Sequence, residues 1–285
     1  MTEAIAGRRH GGPRPPRRRG HRRHPLASRL GGAAGLLAVA VLLAACSTTP
    51  PVTIEEVPTA DVLYQRGLEE LEGRRILFWR VVDTTKAVET FQAIIDNYPY
   101  SDQAVLAELK IADAYFDDGQ YEAAVTYYRD FAELHPRHEQ VPYAIYRAAL
   151  CHYRQARSPE RDQTATREAL KYLEVLVGDH PDSPYAAEGE ELWRELRARL
   201  ARSVMVVGDF YLKRGEYQAA AERYRDVLNE YPGLGLDAEA LYRLGVCYRR
   251  MNRSEEASRI FEVILENYRG TDVAARAADL VPAAN

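Results

Sequence analysis

Residues 208–232 read GDFYLKRGEYQAAAERYRDVLNEYP, and the same arrangement returns twice without a gap. Residues 112–136 read ADAYFDDGQYEAAVTYYRDFAELHP, and residues 245–269 read GVCYRRMNRSEEASRIFEVILENYR. Successive starts lie 96 and 37 residues apart. Each copy opens on a small residue (Ala112, Gly208, Gly245), with a tyrosine three residues on (Tyr115, Tyr211, Tyr248) and a turn residue after it (Gly119, Gly215, Asn252). A second small residue follows (Ala124, Ala220, Ala257), then an aromatic four residues later (Tyr128, Tyr224, Phe261). Spacings of three and four put these side chains on one face of a helix, so each copy reads as two helices joined by a turn. The small residues let the two helices approach, and the aromatics fill the space beside them.

This arrangement resembles the tetratricopeptide repeat, which implies an all-α solenoid of stacked helix pairs. Two weaker copies complete the array. Thr85–Pro99 places Ala87 and Phe91 on the small and aromatic positions, after a first helix at Thr59–Glu72; Glu168–Pro181 places Ala169 and Leu173 there, after a first helix at Glu139–Gln155. Five repeats are thus expected at about 59–99, 100–136, 137–181, 182–232 and 233–269, closed by a short capping helix at 271–280. Their closing residues are spaced 37, 45, 51 and 37 apart, so two repeats carry insertions. In the fourth, Pro184–Lys213 lacks an internal proline, and Leu192, Leu196, Leu200, Val204 and Val207 recur at helical spacing, which predicts one helix of about 30 residues. In the third, the excess is the polar turn Arg157–Thr164. The first carries Gly73–Asp83, GRRILFWRVVD, whose apolar run either extends the first helix to cap the array or forms a partner-facing patch.

Ahead of the array the composition changes. Residues 1–45 hold nine arginines and one acid, a charge of +8, while the remaining 240 residues carry −12, so the chain average of −4 describes neither part. The uncharged run Leu30–Ala45, LGGAAGLLAVAVLLAA, would rise about 24 Å as a helix, short of a membrane span. A basic flank, a short apolar stretch and small residues before a break make a secretory signal peptide. Leu43-Ala44-Ala45-Cys46 resembles a bacterial lipobox, which implies cleavage before Cys46 and a covalent lipid there (N-acyl, S-diacylglycerol). Ser47, in place of an aspartate, fits the outer membrane, and residues 46–58, rich in proline, read as an extended tether.

The acidic body argues against nucleic acid as a partner. No phosphate loop, serine elbow or metal-ligand spacing is present. His135 and His138 bracket Pro136 in a loop and so are not a helical ligand pair; His180 shares the pre-proline packing place of His135, and His152, on an apolar helix, reads as a core residue. Cys151 and Cys247 lie a full repeat apart, too far for a disulfide, and read as small buried hydrophobes. No metal, no cofactor besides the lipid and no catalytic residue are expected; the body reads as a binding scaffold.

A lipobox lipoprotein of five such repeats, with Tyr-Pro or His-Pro closing most of them and a long helix opening the fourth, resembles the BamD family of outer-membrane protein assembly factors. The resemblance implies an outer-membrane lipoprotein facing the periplasm. Its amino-terminal repeats would receive unfolded outer-membrane proteins, and its carboxy-terminal repeats would dock on a BamA-like barrel subunit alongside other assembly subunits. In AAERYRDVLNEYP it puts Arg223 on a position that couples to the barrel subunit, and in FYLKRGEY it puts Arg214 on a second such position. Tyr64, Leu109 and Tyr115 are the candidates for the substrate-peptide groove. The other reading is a periplasmic repeat adaptor for cell-wall, division, polysaccharide or secretion machinery.

Overall fold

Three of the five helix pairs are fastened where an aromatic ring meets a residue with no side chain. The rings of Phe91, Tyr224 and Phe261 press on Gly67, Gly208 and Gly245, where an added Cβ would stand 2.6, 2.6 and 2.5 Å from the nearest ring carbon. The three rings are almost wholly buried. In the second repeat Ala112 and Tyr128 share one core and are both fully buried. Gly245→Ala should therefore destabilise the fold by about 1–3 kcal/mol, because Phe261 has nowhere to retreat. Urea denaturation checks this; an unchanged midpoint would mean that the pair has slack.

The computed structural model describes residues 58–281 apart from 77 and 78. The leader, Cys46 and the tether through residue 57 lie outside the described residues. Five helix pairs follow one another: α1 (Ala60–Glu72) with α2 (Thr84–Asn97), α3 (Asp102–Asp117) with α4 (Tyr121–Leu134), α5 (Val141–Gln155) with α6 (Thr164–Asp179), α7 (Ala186–Lys213) with α8 (Tyr217–Glu230), and α9 (Asp237–Arg250) with α10 (Ser254–Asn267). A short α11 (Asp272–Ala278) closes the array, with Ala274 and Ala277 buried against α10 and Thr271 capping its first turn. The pairs turn on Gly119, Gly215 and Asn252, all in the left-handed region (φ 76°, 78° and 60°). Asparagine is among the few non-glycine residues that enter this region readily. Tyr98, His135, His180, Tyr231 and Tyr268 each end a second helix, their N–H bonding back to the carbonyl four residues earlier.

The insertion in the first repeat does not extend α1. Gly73, with φ at 70°, ends that helix, and Arg74–Ile76 (β1) pairs antiparallel with Trp79–Val81 (β2) in a two-stranded hairpin. The run is aromatic and β-branched, which favours extended backbone once a left-handed glycine has broken the helix. In the third repeat the inserted turn folds on itself: buried Gln163 donates to the carbonyls of Ser158 and Arg161 at 2.8 and 3.0 Å and accepts from Thr166.

The long α7, 28 residues, belongs to two cores. Leu192, Leu196 and Leu200 pack with the second and third repeats, whereas Ala201 and Met205 pack with α8 and α9. The buried stripe turns at that changeover and continues to Gly208. Val207, read from its spacing as part of the stripe, is 42% exposed.

Candidate docking surfaces

Two polar clusters tie neighbouring repeats together, and they are copies of each other. In the first, the Tyr128 and Tyr143 hydroxyls both donate to Oδ1 of Asp113 at 2.7 Å, and Lys110 Nζ donates to Oδ2 at 3.0 Å. Arg147 on α5 donates from Nε to the Tyr128 hydroxyl at 3.0 Å and lays its guanidinium 3.8 Å above the Phe116 ring. In the second, Tyr224 donates to Asp209 at 2.7 Å, and Arg243 on α9 bonds the same carboxylate. Arg243 also donates to Glu239 at 2.8 Å, and Arg276 on α11 bonds Glu239 from the other side. Asp113, Tyr128 and Arg147 lie 96 residues before Asp209, Tyr224 and Arg243, the offset that relates the second repeat to the fourth.

The electrostatics follow from this wiring. Burial, and then the Asp113 charge, drive the Tyr128 and Tyr143 phenols above the usual tyrosine range; burial and Asp209 do the same to Tyr224. Burial opposes the Arg243 charge, but its bonds to Asp209 and Glu239 more than offset that and raise its pKa. These groups fix the angle between successive first helices, and the carboxylates are occupied.

The sequence candidates distribute unevenly over this frame. Arg214 follows the end of α7 with its guanidinium 5.4 Å from the Phe210 ring, and Phe210 is 55% exposed. Val207, Phe210 and Arg214 share one face of the helix end, forming an apolar strip topped by a cation. Sequence reasoning missed the first two, although their i, i+3 spacing to each other and i+7 to Arg214 was legible. Arg223 is exposed on α8 and pairs with Asp226 one turn on, at 2.9 Å. Tyr64, edge-on to Phe91, and Tyr115, stacked on Tyr127 at 5.5 Å, are both half-buried against the core of the first repeat and α3. Leu109 is 4% exposed and belongs to the core shared by α3 to α7. It therefore packs the repeats together and is not a groove residue.

The remaining chemical candidates have ordinary partners. Burial pushes the Cys151 thiol up to about 12 and the Cys247 thiol to about 11, so neither is a nucleophile at neutral pH. His135 bonds Glu108 at 2.8 Å and packs on Phe131, and His152 stacks on Tyr172. Among the described residues no three His, Cys, Asp or Glu side chains gather at one point, and no helix is long and apolar enough to cross a membrane.

The family model of the YfiO outer membrane lipoproteins matches residues 59–263, from the start of α1 into α10. The chain belongs to this family. Relatives of this chain include outer membrane protein assembly factor BamD of Caulobacter vibrioides, 29% identical over 84% of this chain and 75% of the relative. BamD of Rickettsia prowazekii is also 29% identical, over 82% and 89%. BamD of Vibrio cholerae is 27% identical, over 74% and 90%. Among solved structures the chain is similar to the TPR2AB domain of yeast Sti1 in its pHSP90 complex, with 14% identity, TM-score 0.40, and coverage of 78% and 82%. It is also similar to TTC0263, a TPR protein of Thermus thermophilus, with 19% identity, TM-score 0.33, and coverage of 78% and 98%. Scores of that size add nothing to the helix-pair packing described above, which carries the repeat assignment.

Proposed function

We propose that the protein is a non-catalytic scaffold for assembling β-barrel proteins into the outer membrane, anchored through lipid on Cys46 and facing the periplasm. Its carboxy-terminal repeats dock on a BamA-like barrel subunit through the end of α7 and α8. Its amino-terminal repeats receive segments of unfolded outer-membrane proteins beside Tyr64 and Tyr115. Family membership from residue 59 to residue 263 supports the role. The exposed Val207–Phe210–Arg214 strip is the observation that supports the docking site, because a phenylalanine held out in solvent under a guanidinium suits the buried centre of an interface.

Arg223 adds a cation on the neighbouring helix. Its Asp226 partner is half-exposed, so the pair is worth little by itself and is easily exchanged for a carboxylate on a partner.

Capture from detergent-solubilised envelope tests the reading. Phe210→Ser and Arg223→Glu should each reduce recovery of the barrel subunit by about tenfold, equivalent to roughly 1.4 kcal/mol. Their melting temperatures should fall by no more than about 2–4 °C, since both side chains are exposed. Recovery of cell-wall synthases or secretion components in place of the barrel subunit would replace this proposal with the adaptor reading. Cys46→Ala should move the protein from the membrane fraction to the soluble one without changing its melting temperature. Retention on the membrane after a salt wash would refute the acyl anchor.

A further inference from the structure

One more surface lies along α9 in the last repeat. Tyr242 and Val246, one turn apart on α9, form a floor shared by two hollows. The first, about 360 Å³, faces α7 and holds Asp209 and Glu239, whose charges are already answered by Arg243 and Arg276. The second, about 540 Å³, is walled by Arg249, Arg250, Asn252 and Leu280. Both of its arginines are exposed, and no described residue makes an ion pair, hydrogen bond or ring contact with either guanidinium. The contrast is local: Arg253, three residues on, bonds Glu256 and lies over the Tyr248 ring. The carboxyl end of the α9 dipole makes two adjacent cations tolerable there without supplying a counter-ion.

The two hollows therefore form one groove, with Asp209 and Glu239 balanced by Arg243 and Arg276 and joined by Lys213 at one end, a tyrosine–valine floor, and two unanswered arginines at the other. We propose that this groove binds an extended acidic segment of a partner protein. A carboxylate side chain sits between Arg249 and Arg250, and an apolar neighbour lies on Tyr242, Val246 and Leu280. The site is separate from the Val207–Phe210–Arg214 strip, and it does not depend on what docks there. Charge selects the occupant: two adjacent arginines without a described counter-ion attract an anion locally. A phosphate headgroup would fill only the arginine end, whereas a peptide also covers the Tyr242, Val246 and Leu280 floor that joins the two hollows.

Fluorescent ten-residue peptides of alternating leucine and glutamate, titrated against the full chain in detergent, test this. The same peptides with glutamine for glutamate, and phosphatidylglycerol vesicles, serve as the other arms. The acidic peptide should bind at least about tenfold more tightly than its amide twin, with the preference shrinking as salt rises. Arg249→Gln with Arg250→Gln should remove that preference, while Arg161→Gln, in the loop of the third repeat, should leave it intact. Circular dichroism melting confirms that the variants are folded. Equal binding of both peptides, or an acid preference that survives the double variant, would overturn the proposal. So would binding of the vesicles, but not of the peptide, through these arginines.

Discussion

Asp113→Ala should cost roughly 3 kcal/mol of stability, among the largest losses from any single side chain in the described body. One carboxylate oxygen accepts from both Tyr128 and Tyr143, and the other from Lys110, while Arg147 closes the cluster from the next repeat. Removing the carboxylate strands the buried Tyr128 hydroxyl and the partly buried Tyr143 hydroxyl, and leaves the largely buried Arg147 with only Tyr128 and the exposed Asp117 as polar partners. Asp113→Asn keeps an acceptor and loses only the charge, so it should cost less. Urea denaturation of Asp113→Ala, Arg147→Ala and the double variant measures the coupling directly. A coupling energy near zero would mean that the cluster is incidental to the repeat packing.

The second copy, at Asp209, Tyr224 and Arg243, is more open to solvent at its carboxylate, so Asp209→Ala should cost less than Asp113→Ala. Between the two clusters the third repeat is different. Leu173 stands 45 residues after Tyr128, where the other repeats have an aromatic ring, and Leu192 stands 45 residues after Arg147. Both leucines lie in one apolar core. Buried polar ties thus hold the second repeat to the third and the fourth to the fifth, while the buried junction of third and fourth is a leucine core along α7, with Tyr153 donating to Glu195 at its exposed rim. Apolar contact is the less directional of the two, so any change in the angle between the halves should occur at α7.

Much of this was legible in the sequence. The Gly208–Tyr224 and Gly245–Phe261 pairs could be read from spacing alone, because a residue without a side chain and a ring sixteen positions later recur together. The polar ties were written in the same offset of 96, but Asp209 and Arg243 are 34 residues apart and only the stacking of repeats brings them together. The hairpin at residues 74–81 was not legible, since a short apolar run serves strand and helix alike and Gly73 decides the matter through its φ. Val207 was misplaced for a different reason. Helical spacing identifies a stripe, but α7 serves two cores, and its stripe rotates where one ends and the next begins. At the candidate site, Leu109 could not be told from a groove residue because burial depends on the neighbouring repeats.

Above about pH 9 the fold should lose stability, steeply beyond about pH 10, and the sign follows from which state holds the protons. The Cys247 and Cys151 thiols titrate near 9 when unfolded and are held up to about 11 and 12 in the fold. The Tyr128, Tyr143 and Tyr224 phenols titrate near 10 when unfolded and far higher when folded. Raised folded values mean that the stabilisation is complete below pH 9, and that it drains away as the unfolded chain releases protons the folded one keeps. Each group caught in this window contributes a slope of about 1.4 kcal/mol per pH unit. With two thiols and then three phenols in play, the melting temperature should fall slowly from pH 9 to 10 and sharply from 10 to 11. Tyr224→Phe removes one titrating group, so it should lower stability at pH 7, by leaving Asp209 with one fewer donor, yet flatten the decline above pH 10. Cys247→Ala should flatten the earlier part. Thermal melts of the three proteins between pH 7 and 11 separate these effects. A parent protein whose melting temperature stays level to pH 11 would show that its buried phenols ionise in place, and the tight tyrosine–aspartate wiring would then have to be abandoned.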